Sequence, residues 1–165
     1  MGNGAGQDAG LAPFEAVVAE HGPTVLRVCR AVVGPDAAED AWSETFLAAL
    51  RAYPQLPAGS DVRAWLVTIA HRKAVDAHRA ARRRALPTDL LPERSSGEHP
   101  GDGRADVWEA VAALPERQRL CVAYHHLAGL PYADVADLVG GTAAAARRAA
   151  ADGVAALRRT WKEHP

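Results

Sequence analysis

The chain carries seven histidines, two cysteines and twenty acidic side chains. These are the ingredients of metal or acid–base chemistry, but their spacing gathers none of them into a site. His71 and His78 could share a helix face. No cysteine or carboxylate joins them at a metal-ligand spacing, and the arginines around them would repel a cation. His125 and His126 are neighbours, about 100° apart on a helix, and so do not chelate together. Cys29 and Cys121 lie far apart within apolar helical patterns, which predicts buried free thiols. Glu39 and Glu44 read as surface carboxylates rather than an acid–base pair. The sequence contains no nucleophile elbow, phosphate-binding glycine loop or HExxH pair. These patterns predict a protein without metal, cofactor or catalysis of its own.

The chemistry that the spacing does support is electrostatic. From Asp61 to Arg84 the chain reads DVRAWLVTIAHRKAVDAHRAARRR. Val62, Trp65, Leu66 and Ile69 recur at three- and four-residue steps, as on one face of a helix. Seven basic residues (Arg63, Arg72, Lys73, Arg79, Arg82, Arg83 and Arg84) stand against two acidic ones, Asp61 and Asp76. A helix with one apolar and one cationic stripe can pack on a domain and lie along a phosphate backbone. A solvated charged face is the plainer alternative. The net charge of −1 excludes a protein that coats nucleic acid uniformly. Charge is instead segregated: Asp36, Glu39, Asp40 and Glu44 precede the basic helix, so one surface can meet a basic partner while another meets DNA.

The elements that must position these residues are helical. The 165 residues, 48% hydrophobic, suit one or two small globular domains. Pro13 can begin a helix ending near Gly22, and Pro23 the next, whose apolar face is Val25, Leu26, Val28, Cys29, Val32 and Val33 and which Gly34-Pro35 stops. Asp36 is expected to cap a third helix, with Glu39 in capping-box position. Trp42, Phe46 and Leu50 step by four toward the core, leaving Asp40, Ser43, Glu44 and Leu47 on the opposite face. Tyr53 to Ser60 is a Pro/Gly loop, and Asp61 caps the basic helix. Leu86 to Gly103, rich in proline, glycine and serine, reads as a flexible linker. Beyond it, helices are expected from Asp106 to Leu114, Arg117 to Leu127 and Tyr132 to Val139. Gly140-Gly141 then makes a turn, and Thr142 caps a last helix reaching about Trp161. That ending has the layout of a helix-turn-helix. The prediction is all-α: two small helical domains, 11–84 and 105–161, joined by a flexible linker, 85–104. The first dozen residues lack a basic region and an apolar core, Gly6 stands where myristoylation needs Ser or Thr, and no apolar run approaches ~18 residues. A cytoplasmic protein without membrane contact is expected.

Two separated stretches resemble the sigma-70 family of bacterial RNA polymerase initiation factors, in its small two-domain extracytoplasmic-function form. DAAEDAWSETFLAAL is similar to the family's region 2.2, and the basic helix to regions 2.3 and 2.4, with RAWL, the IA pair and Asp76 in place. LPERQRLCVAYHHLAGLPYADVADLVGGT resembles region 4, with its LPERQR opening, the Gly129-Leu130 turn, Tyr132 and VADLVG in order. The resemblance spans about residues 14–160.

The resemblance implies promoter recognition without catalysis. Asp40, Ser43, Glu44 and Leu47 would contact the β′ clamp helices of core RNA polymerase, with Ser43 shorter than the glutamine frequent in the family. The β flap, promoter DNA and an anti-sigma factor are the further implied partners. Tyr53, Arg63, Trp65, His71, Arg72, Lys73, Asp76 and Arg79 would serve the −10 element, a base flipped from the melted strand sitting in the Tyr53–Ser60 loop. The apolar spacing of Trp65 also fits a core role. Thr142, Ala144, Ala145, Arg147 and Arg148 would face the −35 element. The last helix departs from the family pattern, because Ala149, Ala150, Ala151, Asp152 and Gly153 interrupt its basic residues. Asp152 would repel phosphate, and Gly153 costs ~1 kcal/mol of helix stability relative to alanine. This departure motivates an alternative: a sigma-like regulatory protein that binds polymerase or another regulator without initiating transcription.

Overall fold

The structure, a computed structural model, describes residues 10–85 and 105–163. All regular structure among these residues is helical. The first half comprises α1 (Phe14–Val33), α2 (Pro35–Ala52) and α3 (Val62–Arg84). The second comprises α4 (Ala105–Ala112), α5 (Glu116–Val122), α6 (Tyr132–Val139) and α7 (Ala143–Lys162). Nearly all of the segment expected as a linker, from Leu86 onward, lies outside the described residues.

The helix break expected at Gly22-Pro23 is absent: α1 runs through Pro23. An interior proline removes one N–H donor and typically costs ~3 kcal/mol. Here Val17, Val25, Val28, Cys29 and Val32 form buried positions on both sides of it, so tertiary packing overrides the local penalty. Gly22 contributes by lying against Trp42, whose indole Nε1 donates to the Gly22 carbonyl at 2.9 Å.

The start of α2 also differs from expectation. The helix begins at Pro35, preceded by Gly34 at φ 87°, and no side chain caps it, so the Asp36–Glu39 capping box is not formed. Asp36 instead occupies the first turn, where the helix dipole favours a negative charge. Phe46 and Ala49 are buried, but Leu50, expected beside Phe46, is 51% exposed. A strict four-residue step precesses about 40° per step on a helix, so the third member rotates off the core.

In the second half, the expected single helix from Arg117 to Leu127 changes pitch. After α5 the chain makes a π turn over Ala123–Leu127, in which the Ala128 N–H reaches back five residues to the Ala123 carbonyl at 3.1 Å. Gly129, at φ 72°, closes it. The cap and turn expected at the last helix are present. Gly140 and Gly141 have φ of 85° and 83°, and Thr142 Oγ1 accepts the Ala145 N–H at 3.1 Å.

Two apolar clusters hold the helices. One joins α1, α2 and α3 through Val25, Cys29, Ala38, Phe46, Leu66 and Ala70. The other joins Val28, Val32, Val67 and Ala74 of the same α1 and α3 to Tyr124, Leu130, Val135 and Ala150 of the second half. Full burial of each Val or Leu contributes ~1.5–3 kcal/mol. The second half therefore packs directly onto the first, an arrangement that periodicity within each segment does not anticipate.

Candidate polymerase and nucleic-acid interfaces

The basic helix α3 begins as its sequence dictates: the Asp61 carboxylate accepts the Ala64 N–H at 3.1 Å. Leu66, Val67, Ala70 and Ala74 are buried between the two clusters. What remains outward is cationic. Arg63, Arg72 and Arg79 are exposed together with Asp76, and Lys73 is half-buried. The one ion pair among the described residues joins His21 to Glu20 at 3.8 Å, so among those residues no carboxylate pairs with an α3 cation. An unneutralised cationic stripe on a rigid helix is suited to polyanion binding and release of counterions.

Three residues expected beside these cations lie inward. Tyr53, in the short 3₁₀ turn Tyr53–Gln55, is buried. Its ring packs on Phe14 at 5.3 Å, and its hydroxyl donates to the Ala12 carbonyl. Both its polar and apolar parts are engaged, so it braces the loop rather than presenting itself to a ligand. Trp65 is half-buried, 6.2 Å from Tyr53. His71 sits at the seam between the halves, its Nδ1 2.6 Å from the Tyr124 hydroxyl. Burial lowers the His71 pKa, and Arg72 lowers it further, while the Leu138 carbonyl and Glu116 pull the other way. Burial likewise pushes the Tyr124 phenol above its usual range. Both shifts favour the uncharged forms, and in the tautomer whose Nδ1 carries no proton the Tyr124 O–H donates to the imidazole. A cleft of about 500 Å³ opens beside it between α3 and α6, lined by Trp65, Thr68, His71, Arg72, Asp134 and Asp137 among others.

On α2, Asp40, Ser43, Glu44 and Leu47 all face solvent. Leu47 is 55% exposed, and Leu50, one turn on, joins it. The surface therefore combines carboxylates with an apolar pair, a composition suited to a protein partner. The spacing of Leu50 three residues from Leu47 carried that signal; the four-residue step from Phe46 obscured it.

In the second half, Ala144, Ala145, Arg147 and Arg148 are exposed at the start of α7, with the Thr142 hydroxyl committed to the cap. Ala146, Ala149, Ala150 and Gly153 are buried. The alanine run that departs from the basic pattern is thus largely a packing face. Arg117, in the first turn of α5, donates to the Gly140 carbonyl at 2.8 Å and ties that helix to the turn before α7. Arg147 lies over the Tyr132 ring, with Cζ 5.1 Å from the centroid. Spacing gives Arg117 and Tyr124 no role, and Tyr132 none beyond its place in a motif. Their signals are long-range contacts, which spacing does not carry.

Comparison with known proteins agrees with this division. The sigma-70 region 2 family model matches residues 17–84, and the sigma-70 region 4 model matches residues 104–157. The extracytoplasmic-function RNA polymerase sigma factor SigD of Mycobacterium tuberculosis is 36% identical over 139 residues, which cover 76% of this chain and 66% of SigD. The sigma factor BldN of Streptomyces coelicolor is 34% identical over 137 residues, covering 77% of this chain and 52% of BldN. The chain thus spans about two thirds of one relative's length and about half of the other's. The fold is similar to that of the sigma factor RpoE of Bartonella quintana, solved in complex with the anti-sigma factor NepR. The TM-score is 0.74 at 18% identity, covering 92% of this chain and 98% of RpoE. With both region models matched in order on an all-helical chain, and with extracytoplasmic-function relatives above 30% identity, the chain belongs to the sigma-70 family of RNA polymerase sigma factors.

Proposed function

We propose that this protein directs core RNA polymerase to specific promoters and assists DNA opening at initiation, acting in the cytoplasm without catalysis of its own. The observation that carries the reading is the pairing, in one chain, of a basic helix α3 whose cations have no carboxylate partner among the described residues, in a region 2 match, with a capped helix-turn-helix in a region 4 match. On this reading residues 11–84 form the polymerase and −10 domain, 85–104 the linker and 105–161 the −35 domain. The exposed Asp40, Ser43, Glu44 and Leu47, with Leu50 added, contact the β′ clamp helices. Arg63, Arg72, Lys73 and Arg79 contact the −10 region, and the start of α7 reads the −35 element while the second domain meets the β flap. A small protein of anti-sigma type is a further partner. Among the described residues no helix is long and apolar enough to cross a membrane.

The burial of Ala149, Ala150 and Gly153 supports initiation over the non-initiating alternative, because the alanine run then serves packing. The test is transcription by core polymerase on genomic DNA with and without the purified chain. New start sites, with permanganate-reactive thymines just upstream, are expected. Core binding with no opened promoter would instead establish the non-initiating regulator.

A further inference from the structure

The two arginines that begin α7 look equivalent in sequence, and the structure separates them. Both are exposed. Arg147 rests over the Tyr132 ring, whereas among the described residues Arg148 makes no ring contact and neither arginine is paired with a carboxylate.

Tyr132 is itself held. The π turn at Ala123–Leu127 brings His125 round to the Leu130 carbonyl, which accepts from His125 Nδ1 at 2.7 Å and fixes the imidazole plane. That plane stacks on Tyr132 at a centroid distance of 3.8 Å and an interplanar angle of 16°. The result is a ladder running from the helix-turn-helix entry to the recognition helix: backbone carbonyl, imidazole, phenol ring, guanidinium. A cation over an aromatic face is attracted by the ring quadrupole without engaging a hydrogen-bond acceptor. The N–H fork of Arg147 therefore stays available, while its side chain loses less freedom on binding than an unrestrained one. A planar, pre-oriented fork matches the two acceptors on the major-groove edge of guanine. An unrestrained arginine suits a phosphate, whose oxygens accept from many directions.

We propose that Tyr132, braced by His125, is a positioning residue that presents Arg147 as the base-reading side chain of α7, leaving Arg148 as a sequence-tolerant phosphate contact. This rests on the reading of α7 as the −35 element reader.

The test uses the full chain with core polymerase on a template pool randomised across the −35 region, together with capture of core polymerase by each variant. Arg147→Ala is expected to flatten the base preference at one −35 position. Tyr132→Leu should weaken preference at that same position about two- to fivefold, the scale of an exposed cation–π contact, and add nothing in the Arg147→Ala background. Tyr132→Phe, which keeps the ring, should retain the preference. Arg148→Ala should lower yield across the pool with the profile unchanged and reduce the salt slope of DNA binding by about one. Capture of core polymerase and the melting temperature should stay at the wild-type level in Tyr132→Leu, which marks an intact fold. If Arg147→Ala flattens one position and Tyr132→Leu does not, the positioning role is overturned while the −35 reading stands. A Tyr132→Leu loss that multiplies with that of Arg147→Ala, or that comes with a lowered melting temperature and an equal loss of core capture, assigns Tyr132 to folding. If Arg147→Ala leaves the wild-type preference unchanged at every position, the assignment of Arg147 is overturned, whereas a wild type with no preference anywhere in the pool overturns the −35 reading itself.

Discussion

Gly153 of α7 crosses Val122 of α5 so closely that a Cβ at position 153 would lie 2.8 Å from Val122 Cγ2 and 3.4 Å from the Gln118 backbone oxygen. Its cost to helix propensity is thereby explained: a small residue lets the two helix backbones approach. Alanine is ~1 kcal/mol better than glycine in an exposed helix, but overpacking a buried crossing typically costs ~1–3 kcal/mol. Val122 is buried and β-branched, with little rotamer freedom to yield. The difference leaves Gly153→Ala destabilised by up to ~2 kcal/mol in urea unfolding. A variant more stable than wild type would show that the crossing relaxes freely and that only helix propensity remains.

The same crossing shows what was legible in the sequence. Local signals read correctly: Asp61 and Thr142 cap through their side chains, Gly129, Gly140 and Gly141 take positive φ, and both cysteines are buried. The outward face of Asp40, Ser43, Glu44 and Leu47 also read correctly, since it follows from helix period alone. What did not read was decided between segments. Pro23 stays inside α1 because a buried stripe continues across it, and Leu50 leaves the core because packing follows 3.6 residues per turn rather than four. Tyr53 and His71 resemble ligand-facing residues by motif, yet Ala12 and Tyr124, each more than 40 positions away, take their polar atoms.

The outward face of α2 should govern polymerase binding. Glu44 is exposed and makes no ion pair among the described residues, so reversing its charge should leave the fold intact. A like-charge juxtaposition in an interface costs several kcal/mol. Glu44→Arg is expected to weaken capture of core enzyme at least tenfold, with an unchanged melting temperature. Capture equal to wild type would remove this surface from the polymerase interface.

Salt dependence isolates the contribution of α3. Arg72 and Lys73 are unpaired among the described residues, so each phosphate they meet releases a counterion. Arg72→Ala with Lys73→Ala should flatten the slope of log affinity against log salt by about two at a promoter, while core binding changes little. An unchanged slope would move both residues off the DNA.

His71 yields a pH prediction with a definite sign. Its ring meets Tyr124 from the π turn and the Leu138 carbonyl from α6, with Arg72 on its own helix, Glu116 on α5, and Asp134 and Asp137 across the cleft. Burial is the largest influence and lowers its pKa below the unfolded value of about 6.5. Above that pH both states hold a neutral imidazole, and His71 adds no pH dependence. As pH falls through about 6.5 the unfolded chain takes up the proton first, so stability declines. The decline ends once pH passes the lower folded-state pKa, where both states are protonated. His126, also lowered by burial and by His125, acts in the same direction. The measurement is therefore a difference: the melting temperature of wild type minus that of His71→Gln, followed from about pH 7.5 to about pH 5. This difference should shrink as pH falls, because only the wild type must bury a proton-accepting imidazole at the seam. A difference that stays constant would show that His71 ionises freely in the folded protein. One that grows on acidification would show that the seam prefers the imidazolium, with Asp134 and Asp137 outweighing burial.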